Sequence, residues 1–272
     1  MSNSTFMAYW SGEEPTGPDH SPTLVETPDY VDVVILFYVT ITADGDLDFS
    51  RLVLHNDQAT IMQWMADIRA RQQGKERKTR FTLGILGDSF PDQDPSAFSA
   101  KVAAAAEEWG VDGITIDYEP PSGNENIIPV VSAIKNALPT DALMTAPIYG
   151  AWLGNPLLAP FTALFDYVST MDYTPYPGYE STLSMANEYA RVIGGGSISG
   201  WSKLAIGVSC MTFTNGNHTP LDDVIKLCHY QPEEGNKLGI MLYTLSYDAP
   251  GHGSPYPLFT YTRTIHENLP EL

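Results

Sequence analysis

The sequence predicts a single (β/α)8 barrel that spans residues 1–272 and carries no inserted second domain. Three observations support this fold class: eight apolar runs have the length of β-strands, helical patterns follow most of them, and the 272 residues suit a barrel of roughly 250. The alternative, an open doubly wound sheet, requires a glycine-rich phosphate loop after the first strand. The segment Ser11-Gly12-Glu13-Glu14-Pro15 is not such a loop.

Apolar runs of strand length recur along the whole chain. The longest, residues 31–41 (VDVVILFYVTI), is a continuous series of β-branched and aromatic side chains, which is typical of a strand covered on both faces. The eight predicted strands are residues 6–10, 31–41, 80–86, 113–119, 143–148, 167–173, 204–209 and 239–246.

Helical periodicity follows most of these strands. In the first predicted helix the apolar residues recur at i, i+3, i+4 and i+7, namely Ile61, Trp64, Met65 and Ile68. Gly74 is expected to end that helix. The second is predicted to begin at the N-cap residue Ser96, after Pro95, and to end at the C-cap Gly110. The other predicted helices are residues 126–138, 181–193, 220–229 and 258–268.

The strongly acidic composition excludes several classes of partner. Lys and Arg number 14 against 33 Asp and Glu, so the net charge is −19 at neutral pH. Such a chain repels nucleic acid and anionic membranes, and none of its apolar runs reaches the roughly 18 residues of a membrane span. We therefore expect neither nucleic-acid nor membrane partners. The chain is also expected to be a monomer.

The cysteines and histidines indicate neither a disulfide framework nor a metal site. Cys210 and Cys228 are the only two cysteines, and buried free thiols are favoured over a disulfide between them. The six histidines are scattered, without the spacing of metal ligands. The sequence thus predicts no metal and no organic cofactor.

The fourth predicted strand, residues 113–119, breaks the apolar pattern expected inside a barrel. Because side chains alternate along a strand, Thr115, Asp117 and Glu119 share one face. Ile114 and Ile116 suit the helix layer, so the polar face points into the barrel, toward the end where barrel enzymes place their chemistry. Two adjacent carboxyls there should raise at least one pKa, which provides a general acid near neutral pH. The alternative is a pair that is solvated or neutralised by an inward Arg or Lys.

Residues 112–119 (DGITIDYE) resemble the DGxDxDxE signature of glycoside hydrolase family 18, the chitinases and endo-β-N-acetylglucosaminidases. The resemblance extends along the chain and is sharpest to the short bacterial endo-β-N-acetylglucosaminidases that cut the chitobiose core of N-glycans. Residues 174–178 (TPYPG) resemble their Asn-Pro-Tyr-Tyr-Gly segment after the sixth strand. Residues 242–245 (LYTL) resemble their Thr-Tyr-Asn-Leu in the eighth strand, where most chitinases carry Trp in place of Tyr243.

The resemblance implies a role for each residue of the site. Glu119 would protonate the glycosidic oxygen, while the substrate's own 2-acetamido oxygen attacks the anomeric carbon to give an oxazolinium intermediate and retained configuration. Asp117 would orient the acetamido group and stabilise the oxazolinium charge. Tyr173 and Tyr243 would line the −1 sugar site, Tyr173 as a donor to the acetamido oxygen. The implied reaction is hydrolysis of the β-1,4 bond between two N-acetylglucosamine residues.

Two positions depart from the family pattern. Thr115 stands where the family has an Asp that shares a proton with the next Asp. A hydroxyl can hydrogen-bond Asp117 but cannot store charge, so we expect a shifted acidic limb of the pH profile. Thr174 stands where chitinases usually carry Asp.

Several residues near the predicted strand ends are candidates for a glycan groove, because sugar rings stack on aromatic faces. Core packing is the alternative role for about half of the aromatic ones. The predicted catalytic residues are Glu119, Asp117 and Tyr173, and the predicted substrate-binding residues are Thr115, Tyr243, Tyr9, Trp10, Met171, Thr174, Tyr176 and Tyr149.

Two other functions remain open on the sequence: a chitinase acting on chitin oligosaccharides, and a barrel that has lost activity and binds glycans. Asp117 and Glu119 argue against lost activity, whereas Thr115 and Thr174 keep it open. The family precedent and the acidic surface favour a secreted protein. Because the polar start of the chain, residues 1–5, is not a secretory leader, we expect that leader to be absent from this chain, with a cytoplasmic protein as the alternative.

Overall fold

The computed structural model describes residues 4–17, 21–87, 94–119, 127–173, 178–211, 218–250 and 256–270. The strands in these ranges are β1 (Thr5–Ser11), β2 (Val33–Ile41), β3 (Leu47–Asp48), β4 (Arg80–Gly87), β5 (Gly113–Tyr118), β6 (Leu143–Ile148), β7 (Tyr167–Thr170), β8 (Leu204–Ser209) and β9 (Gly239–Tyr243). All of them except β3 pair in parallel, and β1 pairs with both β2 and β9. The sheet therefore closes into an eight-stranded barrel, which confirms the predicted fold class.

Helices cover the outside of the barrel. Those in the described ranges are α1 (Gln58–Arg71), α2 (Pro95–Trp109), α3 (Ile127–Ala137), α4 (Leu158–Thr162), α5 (Tyr179–Ile193), α6 (Leu221–His229) and α7 (Thr260–Asn268). No helix in this part of the chain has the length and apolarity that crossing a membrane requires.

The observed elements differ from the predicted ones mainly at their ends. The predicted strand 239–246 stops at Tyr243, because the chain then turns into a 3-10 helix at Leu245–Tyr247. Helix α2 is capped by Asp94 rather than Ser96: the Asp94 side chain accepts the N–H of Ser96 at 2.9 Å, and Pro95 occupies the first helical turn. The elements α4 and β3 were not predicted from the sequence, because five and two residues are too few to show a hydrophobic periodicity.

Side-chain alternation divides the apolar residues into two layers. In β1, Met7 and Tyr9 belong to a cluster inside the barrel, whereas Ala8 and Trp10 pack in the larger core between sheet and helices. Cys210 and Cys228 are both buried and free, which confirms the preference for unpaired thiols.

Aspartates at the amino-terminal end of the barrel join neighbouring strands. Each of three aspartates directly precedes a strand: Asp32 before β2, Asp112 before β5 and Asp166 before β7. Their carboxylates accept backbone N–H groups of the adjacent strand, from Phe6 at 2.7 Å, Phe81 at 2.8 Å and Met144 at 2.9 Å respectively. Asp112 also accepts from Arg69 at 2.8 Å. The first residue of the acidic signature therefore has a structural role, far from the barrel mouth.

Replacing Asp112 with Ala should lower the free energy of unfolding by about 1–3 kcal/mol, because the buried N–H of Phe81 loses its acceptor. Urea denaturation of the purified variant measures this loss. Asp46→Ala is the matched control: Asp46 pairs with Lys101 but its side chain is 63% exposed, so the change should stay within about 0.5 kcal/mol. Equal effects of the two variants would contradict the role assigned to Asp112.

Candidate active site

Two carboxyl groups from β5 meet at the carboxyl-terminal mouth of the barrel. Asp117 lies within the strand and is 2% exposed, whereas Glu119 follows the strand directly and is exposed to solvent. The two side chains share one face, because they are two residues apart in an extended segment. That face is the inward one, since both charges act on Tyr9, Tyr173 and Tyr243 inside the barrel. This is the position that the sequence predicts for them.

A hydrogen bond joins the two carboxyls. Burial raises the pKa of Asp117 well above its usual range, and the charge of Glu119 and a hydrogen bond to it raise it further. Desolvation also raises the pKa of Glu119, while its hydrogen bond with Asp117 lowers it. A pair of this kind cannot lose both protons readily near neutral pH, so one carboxyl stays available as a general acid.

Thr115 lies below this pair in a row of three buried threonines. Its hydroxyl is 2.7 Å from Thr82 Oγ1 and 2.6 Å from Thr145 Oγ1. Asp117 Oδ1 has no hydrogen-bond partner among the described residues. The Thr115 hydroxyl thus bonds across the strands rather than to Asp117, because β4 and β6 place hydroxyls on both sides of it.

Three tyrosines surround the carboxyl pair inside the barrel. The ring of Tyr243 stacks on that of Tyr173 at 5.9 Å between centroids and meets that of Tyr9 edge-on at 5.6 Å. Burial raises the pKa of each phenol, and the charges of Asp117 and Glu119 raise it further. The phenols are therefore neutral hydroxyl groups beside the carboxyls, suited to hydrogen-bond and stack against a sugar.

Other predicted site residues divide between the site and the core. Tyr149 is half-buried, and the charges of Glu119 and Asp117 raise its pKa after desolvation, so it faces the pair. Met171 packs against the inner cluster. Trp10 does not reach the site: it is 1% exposed on the helix side of β1, where its ring packs edge-on against Trp64. The alternation that turns Tyr9 inward turns Trp10 outward.

The remaining predictions about this site concern the loop after β7 and the absence of a metal. Thr174 and Tyr176 lie outside the described residues. No group of three or more His, Cys, Asp or Glu side chains is placed to hold a metal ion in the ranges that the structure covers.

Asp172 is a buried carboxyl next to the site that the sequence analysis did not single out. It lies between Met171 and Tyr173 and is 3% exposed. The backbone N–H of Gly150, the neighbour of Tyr149, donates to it. Burial raises the pKa of Asp172 to about 6. Its side chain thus connects the loops that carry Tyr173 and Tyr149, a contact between distant segments that local pattern does not reveal.

No protein-family profile and no curated protein matches this sequence. Solved structures match the fold along nearly the whole chain. The putative chitinase A of Streptomyces coelicolor has a TM-score of 0.73 at 14% identity and covers 98% of each chain. A fungal endo-β-N-acetylglucosaminidase of glycosyl hydrolase family 18 has a TM-score of 0.69 at 14% identity, covering 98% of this chain and 99% of its own. The Group IV chitinase of Ostrinia furnacalis has 0.72 at 12% identity, covering 98% and 100%. At such identities the likeness establishes a shared barrel fold.

Asp172 should make the stability of the fold depend on pH. Its folded pKa of about 6 lies above the unfolded value near 3.9, so folding takes up a proton between these values and stability falls as the pH rises through them. Between about pH 5 and about pH 7.5 the wild type should lose about 1.4 kcal/mol relative to Asp172→Asn, which still accepts from Gly150 but does not titrate. Denaturation of both proteins at the two pH values measures the difference. A difference that does not change with pH would contradict the prediction.

Proposed function

We propose that this chain is a retaining glycosidase of glycoside hydrolase family 18 that cleaves the β-1,4 bond between the two N-acetylglucosamine residues of the N-glycan core. The observation that carries the proposal is the hydrogen-bonded pair of Asp117 and Glu119 at the barrel mouth, whose pKa values burial raises. The signature in residues 112–119 and the barrel fold shared with chitinases and an endo-β-N-acetylglucosaminidase support it.

The first step breaks the glycosidic bond. Glu119 in its acid form donates its proton to the glycosidic oxygen, and the leaving sugar departs with the bonding electrons. The carbonyl oxygen of the substrate's own 2-acetamido group forms a bond to the anomeric carbon, which gives a cyclic oxazolinium ion. Asp117 as a carboxylate accepts from the acetamide N–H and stabilises the positive charge. Holding the acetamido oxygen next to the anomeric carbon can supply about 7–11 kcal/mol of the barrier reduction.

The second step opens the oxazolinium with water. Glu119, now a carboxylate, removes a proton from the water as its oxygen attacks the anomeric carbon. The carbon–oxygen bond to the acetamido group breaks, and the sugar leaves with its original configuration because two inversions have occurred. Tyr173 donates a hydrogen bond to the acetamido oxygen, and Tyr243, whose ring stacks on that of Tyr173, lines the same sugar site. Residues of the chain supply all the proton transfers, so no cofactor enters the scheme.

Chitin oligosaccharides are the second candidate substrate. The fold is shared with several chitinases, and the bond cleaved would be chemically the same. The difference lies in the sugars beyond the cleaved pair. A third reading, a glycan-binding protein without activity, follows from Thr115 in place of the second acidic residue of the signature.

Mass spectrometry of two substrates separates these functions. A high-mannose glycoprotein and chitotetraose are each incubated with the wild type and with Glu119→Gln, which keeps the shape of the acid but holds no transferable proton. We expect the wild type alone to leave one N-acetylglucosamine on each glycosylated asparagine. Cleavage of chitotetraose alone would identify a chitinase. Binding without cleavage of either substrate would favour the inactive glycan-binding protein.

The Thr115→Asp variant should move the acidic limb of the kcat/KM profile to lower pH. Position 115 is fully buried, so the new carboxyl stays protonated and can donate to the unpartnered Asp117 Oδ1. A hydrogen bond to the ionised form of Asp117 lowers its pKa, and the reaction needs that form. Thr115→Val, which has no donor, is the control and should leave the limb in place. Equal profiles for Asp and Val at this position would contradict the argument.

A further inference from the structure

Three polar side chains lie close together beside Tyr243 at the barrel mouth, namely those of Glu13, Tyr38 and Arg51. We refer to these three residues as the rim wall. Glu13 follows β1, Tyr38 lies near the end of β2, and Arg51 follows β3. Arg51 Nη1 lies 2.8 Å from Glu13 Oε1, with side chains 55% and 28% exposed. An exposed ion pair contributes little to stability, so the fold does not depend on the pairing of Glu13 with Arg51.

A β-bulge in β2 accompanies the position of Tyr38, whose side chain hydrogen-bonds with Glu13. In the pairing of β2 with β4, Phe37 faces Gly84 and Val39 faces Ile85, the next residue of β4, so Tyr38 is the extra residue. Phe37 is inside the barrel and Val39 is in the outer core. Tyr38 packs partly against the inner cluster and remains half-buried at the mouth. Bulges of this kind redirect a side chain at a barrel rim.

The wall is held in place by backbone packing. A Cβ atom on Gly12 would lie 2.0 Å from the carbonyl oxygen of Leu52, so the loop after β1 rests directly on the residue that follows Arg51. The N–H of Gly12 donates to the Phe37 carbonyl at 2.8 Å, and the N–H of Glu13 to Ser11 Oγ at 3.3 Å. Glu13 and Arg51 therefore face each other on a preorganised surface.

The wall continues the catalytic site. Phe37 is adjacent to both, with its ring centroid 4.7 Å from Tyr38 and 6.2 Å from Tyr243. After burial and the charges of Asp117 and Glu119, the charge of Glu13 also raises the pKa of Tyr243. A sugar that extends from the centre of the barrel along Tyr243 would thus meet the rim wall next.

We propose that Glu13, Tyr38 and Arg51 form a sugar-binding subsite for a pyranose unit next to the pair that is cleaved. The inference rests on the proposed glycosidase function. The partly exposed ring of Tyr38 offers apolar surface for the sugar C–H groups. The Glu13 carboxylate accepts from hydroxyl groups, and the Arg51 guanidinium donates to them. The subsite binds the unit that distinguishes longer glycans from the chitobiose disaccharide.

Binding measurements on the Glu119→Gln protein test the subsite without turnover. Isothermal titration calorimetry gives the Kd for chitobiose, chitotetraose and a high-mannose glycopeptide, first in Glu119→Gln alone and then with Arg51→Gln or Tyr38→Ala added. The comparison uses whichever of the two longer ligands binds more tightly to Glu119→Gln. We expect either added change to raise the Kd of that ligand about tenfold more than it raises the Kd of chitobiose. Lys101→Gln is the matched control, since Lys101 forms another exposed ion pair on the chain, with Asp46, and it should leave the ratio unchanged.

The outcomes separate the subsite from the function on which it rests. Equal weakening of chitobiose and the longer ligands, or no weakening of either, would overturn the subsite while the proposed function stands. If Glu119→Gln binds none of the three saccharides, the glycosidase assignment and the subsite are both overturned. Circular dichroism of each variant checks that it folds, and Arg51→Gln, at a mostly exposed position, keeps the test valid if Tyr38→Ala does not fold.

Discussion

The close approach of the buried Asp117 to Glu119 is the constraint on which the rest of the site depends. Two carboxyls at close range resist carrying charge together, and desolvation raises the pKa values of both. A closed barrel provides such an environment, because its interior is filled and only its mouth meets solvent. Because desolvation disfavours the charged form of these acids, the pair includes a group that can donate a proton near neutral pH.

The side chains around the pair are uncharged hydroxyl groups. The three phenols of Tyr9, Tyr173 and Tyr243 remain neutral beside the acids, so they add hydrogen-bonding hydroxyls without adding charge. The threonine row around Thr115 is closed on itself by hydrogen bonds. Asp117 therefore has Glu119 as its one carboxyl partner in the described part of the chain.

The outer shell of the site depends on contacts between segments that are distant in sequence. Asp172 binds the N–H of Gly150 and so links the loops of two adjacent strands. The rim wall joins one residue after β1, one within β2 and one after β3, and the packing of Gly12 on Leu52 holds the loops together. Both features contact residues that neighbour the carboxyl pair: Asp172 lies next to Tyr173, and the rim wall lies next to Tyr243. They can therefore affect the geometry of the site.

The sequence by itself determined the barrel and the centre of its site. Strand-length apolar runs and period-two alternation are local properties, so they predicted the parallel strands and the inward face of Asp117 and Glu119 correctly. The tertiary structure alone decided which aromatic residues belong to the site: Trp10 packs against Trp64 in the outer core, whereas the bulge in β2 brings Tyr38 to the mouth. It also decided the partners of Thr115 and the burial of Asp172. These features depend on strand register and on contacts between distant segments, which no local pattern of residues encodes.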